Sequence, residues 1–356
     1  MKVLHVITTI ERGGAENQLV TLASLQSTNG IQVAVIYLKG QDELRNEFEI
    51  SGVRVIDEIA NKSVMSQLIG LRRILSQDFD MVHAHLPRSE VLVSIVNRKI
   101  PWIASRHNAE GFFPKAPSFF SRFLSRVVTT RCSRVVAISR SVENYLIRNR
   151  EVSNLSKLEV IQYGFPILKS VKPSVPFSQP GTLKLVTISR LVPQKDLETL
   201  LRACSLIKGQ GIPFHLDIIG AGEQGQSLRN LAEELEIGRE TNFRGRVMDV
   251  FSILRESHIF LLTSLYEGFG LVLLEAIQAG LPLVVCSNEA TCEVLGDDYI
   301  GLALPQDPTD VSNRIVSLME LKNQIIAKDQ LKDRISIFKP DVMEKRIRSI
   351  YSSILS

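Results

Sequence analysis

The sequence predicts an α/β protein made of two doubly wound, parallel-sheet domains of Rossmann type. Three observations carry this. Short β-branched runs alternate with longer amphipathic patterns from end to end, the order that lays a parallel sheet under covering helices. The chain has 356 residues, whereas single hydrophobic cores stop growing near ~250–300. The alternation breaks once, over residues 164–181 (GFPILKSVKPSVPFSQPG), where four prolines and the lack of any period mark a connection between domains.

Taken in order, strands are expected at 3–8, 33–37, 53–56, 81–84, 103–105, 135–138 and 158–161, with amphipathic helices between them such as 15–27 and 64–75. After a linker at 166–181, strands are expected at 183–189, 214–219, 241–243, 259–262, 283–285 and 301–304. This divides the chain into a first domain over 1–165 and a second over 182–339. The last segment, 339–354, has helical apolar spacing.

The net charge of +4 suits anionic ligands or an anionic membrane surface and is too small, with no basic run, to indicate nucleic acid. Cys132, Cys204, Cys286 and Cys292 are scattered singly, without zinc spacing, as expected of reduced thiols in a cytosolic protein. The opening MKVLHVITT reads as a buried strand, and no apolar run approaches the ~18–20 residues of a spanning helix. The chain is therefore expected to be neither exported nor integral to the membrane.

In open α/β sheets ligands sit beyond the carboxyl ends of the strands, and the unusual residues follow strands here. In YEGFGLVLLEA, Glu267 and Glu275 flank a glycine-punctuated turn, Gly268–Phe269–Gly270, that opens an apolar helix at Leu271. Glycines let the backbone approach a ligand, the helix N-terminus favours phosphate, and the carboxylates can accept from sugar hydroxyls. A capped helix with two solvated acids is the alternative. Arg190 and Lys195, in RLVPQKD ahead of a helix that Asp196 can cap, suit a diphosphate, since fixed cations neutralise leaving-group charge without a metal. A solvated turn would also account for them.

Gly13 and Gly14 lie between the first strand and its helix, where their N–H groups can approach a phosphate, with Glu16 in the early helix. His107 in SRHN follows a strand and can meet a sugar hydroxyl through its ring or developing positive charge through its backbone carbonyl; a satisfied surface histidine is the alternative. His83 and His85 in MVHAHLP share one strand face, but no third metal ligand lies near them at a recognisable spacing. Asp78 and Asp80 form a DxD read as turn residues. GAGEQG, with Gly220 and Gly222, matches a dinucleotide fingerprint, yet the next strand ends in Arg244 and Gly245 where a ribose-binding acid would be needed. Segment 112–131 mixes aromatic and basic residues on a loop and an amphipathic helix, which either lies on an anionic bilayer or packs on the core with arginines reaching outward.

Nearly the whole chain resembles a retaining glycosyltransferase of family four, also termed glycosyl transferases group 1. The resemblance runs through TTIERGGAENQLVTLA, MVHAHLP, VVAISRSVENYL, TISRLVPQKDLETLLRA, LDIIGAGEQGQSLRNLAEEL, NFRGRV, LLTSLYEGFGLVLLEAIQAGLPLVV and GLALPQDP, in the family's order. It implies a GT-B architecture, two Rossmann-like domains facing a central cleft that holds a nucleotide sugar, with 340–356 crossing back to the first domain. It further implies that Arg190 and Lys195 neutralise the diphosphate, Glu275 holds the ribose, Glu267 binds the donor sugar and His107 lies beside it. Gly13, Gly14, Gly220, Gly222, Gly268, Phe269, Gly270 and Leu271 would complete the donor site, and Glu16, His83 and His85 would line the acceptor side.

The implied reaction is front-face transfer with retention, without metal or cofactor, of a hexose or N-acetylhexosamine from a nucleotide diphosphate sugar, commonly a UDP sugar. The implied acceptor is a lipid-linked glycan of a surface polysaccharide or lipopolysaccharide, at the cytoplasmic face. Epimerisation of a sugar nucleotide on the same fold, or a catalytically silent binding subunit, are the competing readings. Two positions depart from the family pattern: Tyr163-Gly164-Phe165-Pro166 replaces Asn-Gly and an acid, and CSNEATCEV replaces a glycine-rich turn after Val285.

Overall fold

A computed structural model describes residues 1–114, 116–166, 176–178 and 181–356. Most of the expected linker, 166–181, lies outside these residues. The chain divides into two compact units, one formed by Met1–Pro166 with Phe338–Ser356 and the other ending at Ile337.

The first unit is built on seven strands: β1 (Lys2–Ile7), β2 (Gln32–Tyr37), β3 (Arg54–Ile56), β4 (Met81–His85), β5 (Trp102–Arg106), β6 (Arg134–Ala137) and β7 (Leu158–Val160). Their spatial order is β3-β2-β1-β4-β5-β6-β7, and every pair is parallel. The order reverses between β1 and β4, so the loops after these strands diverge and leave room for a ligand. β1 is apolar on both faces, Val3, Leu4, Val6 and Ile7 all being buried, because helices cover both sides of a parallel sheet. Helix Gly14–Thr28 packs against the final helix, Pro340–Leu355, so the chain's end closes the unit in which it began. The Phe165 N–H donates to the Phe338 carbonyl at 2.7 Å where the two passes meet. On another flank, helices Val64–Ile74, Pro87–Val96 and Ser118–Arg131 lie side by side.

The second unit repeats the plan with β8 (Leu183–Ile188), β9 (Phe214–Ile219), β10 (Thr241–Gly245), β11 (Ile259–Leu262), β12 (Leu283–Cys286) and β13 (Leu302–Ala303) in the order β10-β9-β8-β11-β12-β13, again parallel. Its switch point falls between β8 and β11. The α/β class of two doubly wound sheets expected from the sequence is the one observed.

The glycines of GAGEQG answer a packing demand inside this unit. A Cβ on Gly220 (φ +135°) would fall 1.9 Å from the Ser189 carbonyl oxygen, and one on Gly222 would fall 2.3 Å from that of Leu191. The two glycines let the loop after β9 lie against the loop after β8, where the Leu191 N–H donates to the Ala221 carbonyl and the Gln224 N–H to the Leu191 carbonyl.

Candidate active site

In the second unit the loops after the neighbouring strands β8 and β11 are laced together. The Leu265 N–H donates to the Gln194 carbonyl (2.9 Å), the Gln194 side-chain amide donates to the Tyr266 carbonyl (2.8 Å), and the Thr263 hydroxyl reaches the carbonyls of Lys195 and Asp196. This lacing brings Lys195 Nζ to 2.6 Å from Glu267 Oε1, with both side chains about nine-tenths buried (11% and 8% exposed). Arg190 stays exposed, its guanidinium donating to Gln194 Oε1 at 3.2 Å. Asp196 adopts a left-handed conformation (φ 44°) and accepts from the Thr199 hydroxyl, so it does not cap the helix Leu197–Gly209 through a backbone N–H as its position suggested.

The turn after Glu267 depends on glycine. Gly270 lies at φ 88°, ψ 49° and precedes the helix Leu271–Gln278, a conformation costly for any residue bearing a Cβ. Phe269 is buried and anchors the turn, so the backbone rather than its ring is what this segment offers a ligand. Glu275, one turn into the helix, has its carboxyl pushed up to about 7 by burial. Arg190, Lys195, Glu267, the 268–271 turn, Glu275 and the Gly220–Gly222 loop thus belong to one set of adjoining strand ends in this unit. At the end of β12 the departure CSNEATCEV forms a capping box: Asn288 and Thr291 cap the helix Glu289–Leu295, and Asn288 Nδ2 donates to the Ser264 carbonyl (3.1 Å).

In the first unit, Gly13 precedes the helix beginning at Gly14 with extended backbone, and Glu16 is a buried acid in its first turn. His107 follows β5. Its Nδ1 is paired with the Tyr163 hydroxyl and its Nε2 lies 3.2 Å from His85 Nδ1. From there the chain of contacts runs on, His85 Nε2 to His5 Nδ1 at 3.0 Å and His5 Nε2 to Gln26 Oε1 at 2.8 Å. Because Gln26 Oε1 only accepts, every proton has an assigned place. His5 Nε2–H donates to Gln26, His85 Nε2–H to His5, His107 Nε2–H to His85, and the Tyr163 hydroxyl to His107. His83 makes a branch between the Tyr351 hydroxyl (2.6 Å) and the Ser105 hydroxyl (2.7 Å). Burial holds these imidazoles neutral, with His5 down to about 4 and His107 to about 3. Tyr163 is pushed well up by burial, then by the negative charge of Glu16.

This arrangement corrects the expectation for His83 and His85. Both are buried, 0% and 2% exposed, and their rings face protein partners, so they do not line an acceptor surface. A third imidazole does approach them, His5 from the adjacent strand, with ligand atoms of the three within 4.8 Å of one another. Each ring nitrogen already has a side-chain partner, so the three rings form one hydrogen-bonded cluster beneath His107. The partners Tyr163, Gln26, His5 and Tyr351 were not anticipated. Tyr163 alone left a trace in the sequence, as a departure from the family pattern.

On the other side of β5, Arg106 sits between two buried carboxylates, its Nε 2.9 Å from Glu90 Oε2 and its Nη1 3.5 Å from Glu151 Oε2, with the guanidinium 4.1 Å over the Phe112 ring. Burial, reinforced by the charge of Glu151 and opposed by Arg106, lifts the Glu90 carboxyl to about 7. The helix Ser118–Arg131 has an inverted character. It buries Ser121, Ser125, Val128 and Thr129 while Phe119, Phe120 and Phe123 are 67%, 46% and 61% exposed. Within this helix the phenylalanines do not pack on the core, whereas Phe112, earlier in the same segment, is buried.

Two family models account for most of the chain. Glycosyltransferase Family 4 matches residues 12–167 and Glycosyl transferases group 1 matches residues 172–334. An uncharacterized glycosyltransferase of Methanocaldococcus jannaschii is 24% identical over 256 residues, 70% of this chain and 68% of its own. The Escherichia coli UDP-Gal:alpha-D-GlcNAc-diphosphoundecaprenol alpha-1,3-galactosyltransferase is 24% identical over 263 residues, 69% of this chain and 68% of its own. Among solved structures, Anabaena HepE in complex with UDP and glucose superposes with a TM-score of 0.83 at 19% identity, over 99% of this chain and 100% of that one. With two Rossmann-like sheets, GT-B neighbours and both family models in register, the chain is a group 1 glycosyltransferase of the family-4 type.

Proposed function

We propose that this enzyme transfers a hexose or N-acetylhexosamine from a UDP sugar to a lipid-linked saccharide, with retention at the anomeric carbon and without a metal ion. The observation that carries the reading is the buried Lys195–Glu267 pair at the ends of β8 and β11. A lysine whose geometry is set by a buried carboxylate is a preorganised charge, and such groups need no reorganisation when a pyrophosphate departs. Arg190 adds a second cation, the helix N-terminus after Gly270 a third source of positive potential, and Glu275 an acceptor for ribose hydroxyls. Glu267 is assigned to the donor sugar. With cations fixed in this way, the protein's work is positioning and electrostatic stabilisation, and the donor's own phosphate can take the acceptor proton. The relative that acts on a diphosphoundecaprenol-linked sugar, and the neighbour bound to UDP and glucose, support the donor and acceptor classes.

The test is a screen of radiolabelled UDP hexoses and UDP N-acetylhexosamines against lipid extracts, with and without chelator, the anomeric linkage of the product being read by NMR. Transfer with retention that survives chelation is expected. Interconversion of the sugar nucleotide without acceptor would instead make the chain an epimerase, and binding without turnover a silent subunit. Loss of activity in chelator would end the metal-free account.

A lipid-linked acceptor would bring the enzyme to the cytoplasmic face of the membrane; among the described residues no helix is long and apolar enough to cross it. The outward phenylalanines of Ser118–Arg131, interleaved with Arg122 and Arg126, fit a peripheral contact with anionic lipid. A fully buried phenylalanine side chain is worth roughly 1.5–3 kcal/mol. Wild type is therefore expected to float with vesicles containing anionic phospholipid, and Phe119→Ser/Phe120→Ser/Phe123→Ser to remain behind; equal flotation would remove this helix from the account.

A further inference from the structure

Within the first unit the buried hydrogen bonds around β1, β4 and β5 run in single file. A neutral imidazole has one donor and one acceptor, so each of His5, His83, His85 and His107 that donates on one side must accept on the other. The file that leads from Tyr163 through His107, His85 and His5 to Gln26 Oε1 continues beyond Gln26. Its Nε2 donates to the Tyr351 hydroxyl at 3.4 Å, that hydroxyl lies 2.6 Å from His83 Nδ1, and His83 Nε2 lies 2.7 Å from the Ser105 hydroxyl. Each member therefore donates to the next, from Tyr163 at one end to Ser105 at the other, and the direction taken at one link dictates the rest. The file joins the sheet to two helices packed against each other, Gln26 lying on Gly14–Thr28 and Tyr351 on Pro340–Leu355.

Imidazoles and hydroxyls reverse such a direction by moving a proton, whereas an amide reverses it only by turning its heavy atoms over. Gln26 is 0% exposed and held on both sides, Oε1 at 2.8 Å from His5 Nε2 and Nε2 toward Tyr351, so it is the member that sets the direction. The consequence reaches His107 at the strand end. Its Nε2 carries the proton and donates to His85, and its Nδ1 accepts from Tyr163. The ring has no third polar atom, so a substrate hydroxyl could bind it only by breaking one of these bonds. We propose that Gln26 is a positioning residue that fixes the tautomer and ring orientation of His107, and that this ring anchors the loop after β5 rather than binding the donor sugar. His107 and Asn108 of that loop line a strand-end cavity, so a displaced ring shifts the wall of the site. The effect on turnover rests on the reading of the chain as a sugar transferase; the tautomer of His107 does not.

The full chain holds six histidines, few enough for every ring to be followed by long-range proton–nitrogen correlation NMR on protein carrying isotope-labelled histidine, with His107→Gln supplying the assignment. At neutral pH the wild type is expected to show His107 protonated at Nε2 and bare at Nδ1, and to keep that pattern when UDP, or the sugar nucleotide identified by the donor screen, is added. Gln26→Met keeps the length of the side chain and removes both amide groups. It should give His107 as a mixture of tautomers and lower kcat about tenfold or more while UDP affinity is unchanged, the scale on which misplacement remote from the chemistry acts. Tyr351→Phe is the control for damage to the interior. It cuts the file on the far side of Gln26, so the His107 tautomer and kcat should stay as in the wild type. Circular dichroism melts verify folding, and if Gln26→Met does not fold, the wild-type spectrum with and without donor still decides. The proposal is overturned if wild-type His107 carries its proton on Nδ1, if donor binding gives the His107 nitrogens a new partner, if folded Gln26→Met keeps the wild-type tautomer or kcat, or if Tyr351→Phe disturbs His107 as much as Gln26→Met does. A wild type that turns over no sugar nucleotide, with the His107 tautomer as expected and lost in Gln26→Met, would count against the transferase reading and leave the link from Gln26 to His107 standing.

Discussion

Replacing Lys195 by alanine is expected to lower kcat about thirtyfold to a thousandfold, the roughly 2–4 kcal/mol that accompanies loss of one fixed electrostatic donor. The effect has two sources. The ammonium that would face the departing pyrophosphate is removed, and Glu267, 8% exposed and 2.6 Å from Lys195 in the wild type, loses the contact that fixes its side chain. Because Glu267 is the proposed contact to the donor sugar, KM for the nucleotide sugar should rise alongside the fall in kcat. Lys195→Arg is not expected to restore activity, since a planar guanidinium cannot occupy the place of a compact ammonium beside Glu267. Steady-state kinetics at saturating acceptor, with a thermal melt to verify folding, decides the matter. A folded Lys195→Ala enzyme retaining kcat to within about threefold would show that the pair serves the fold of the second unit and not the reaction.

The ease with which that pair could be foreseen, and the difficulty of foreseeing the histidines, has a physical basis. Arg190 and Lys195 lie on one loop, and Glu267 through Glu275 on one turn and helix, so their grouping is local in sequence and their strand-end placement follows from the sheet class. The strands themselves were readable because a sheet covered on both faces requires continuous apolar runs such as those of β1, β11 and β12. Boundaries moved by a residue or two: β10 lengthens from 241–243 to Thr241–Gly245, and β13 shortens from 301–304 to Leu302–Ala303. The His5–His85–His107 chain, by contrast, is assembled from β1, β4 and the loop after β5, and the Tyr351 partner of the His83 branch comes from a helix 268 residues beyond it. Period two shows that His83 and His85 share a face and says nothing of which layer covers it. Arg106 and Glu90 met the same obstacle, since a strand residue and a helix residue pair only once the sheet order is known. In Ser118–Arg131 the hydroxyl residues spaced by four turn inward, against the preference of their side chains, and composition alone leaves the direction of that helix open.

The Arg106 cluster gives the first unit a stability that is expected to fall as pH rises. Glu90 ionises near 7 in the folded protein against 4.5 ordinarily, so its folded form holds the proton more tightly than the unfolded one. A raised pKa of this kind contributes its full share below about 4.5 and loses it through about 7, on the order of 3 kcal/mol for a group this deeply buried. Glu151 is shifted in the same direction by burial. The chain's single tryptophan, Trp102, is buried in β5 of this unit, so its fluorescence in urea follows the unit's unfolding on its own. The unfolding midpoint should drop between pH 5 and pH 7.5, and Glu90→Gln should flatten that slope because the amide carries no charge to bury. Arg106→Met should act in the opposite sense. It strands two buried carboxylates, a loss of roughly 3–5 kcal/mol near neutral pH, and costs less at pH 5, where Glu90 takes up a proton and only one charge remains. An Arg106→Met penalty that is equal at the two pH values would mean that the arginine contributes through its packing on Phe112 alone, and that the carboxylates beside it are neutral throughout.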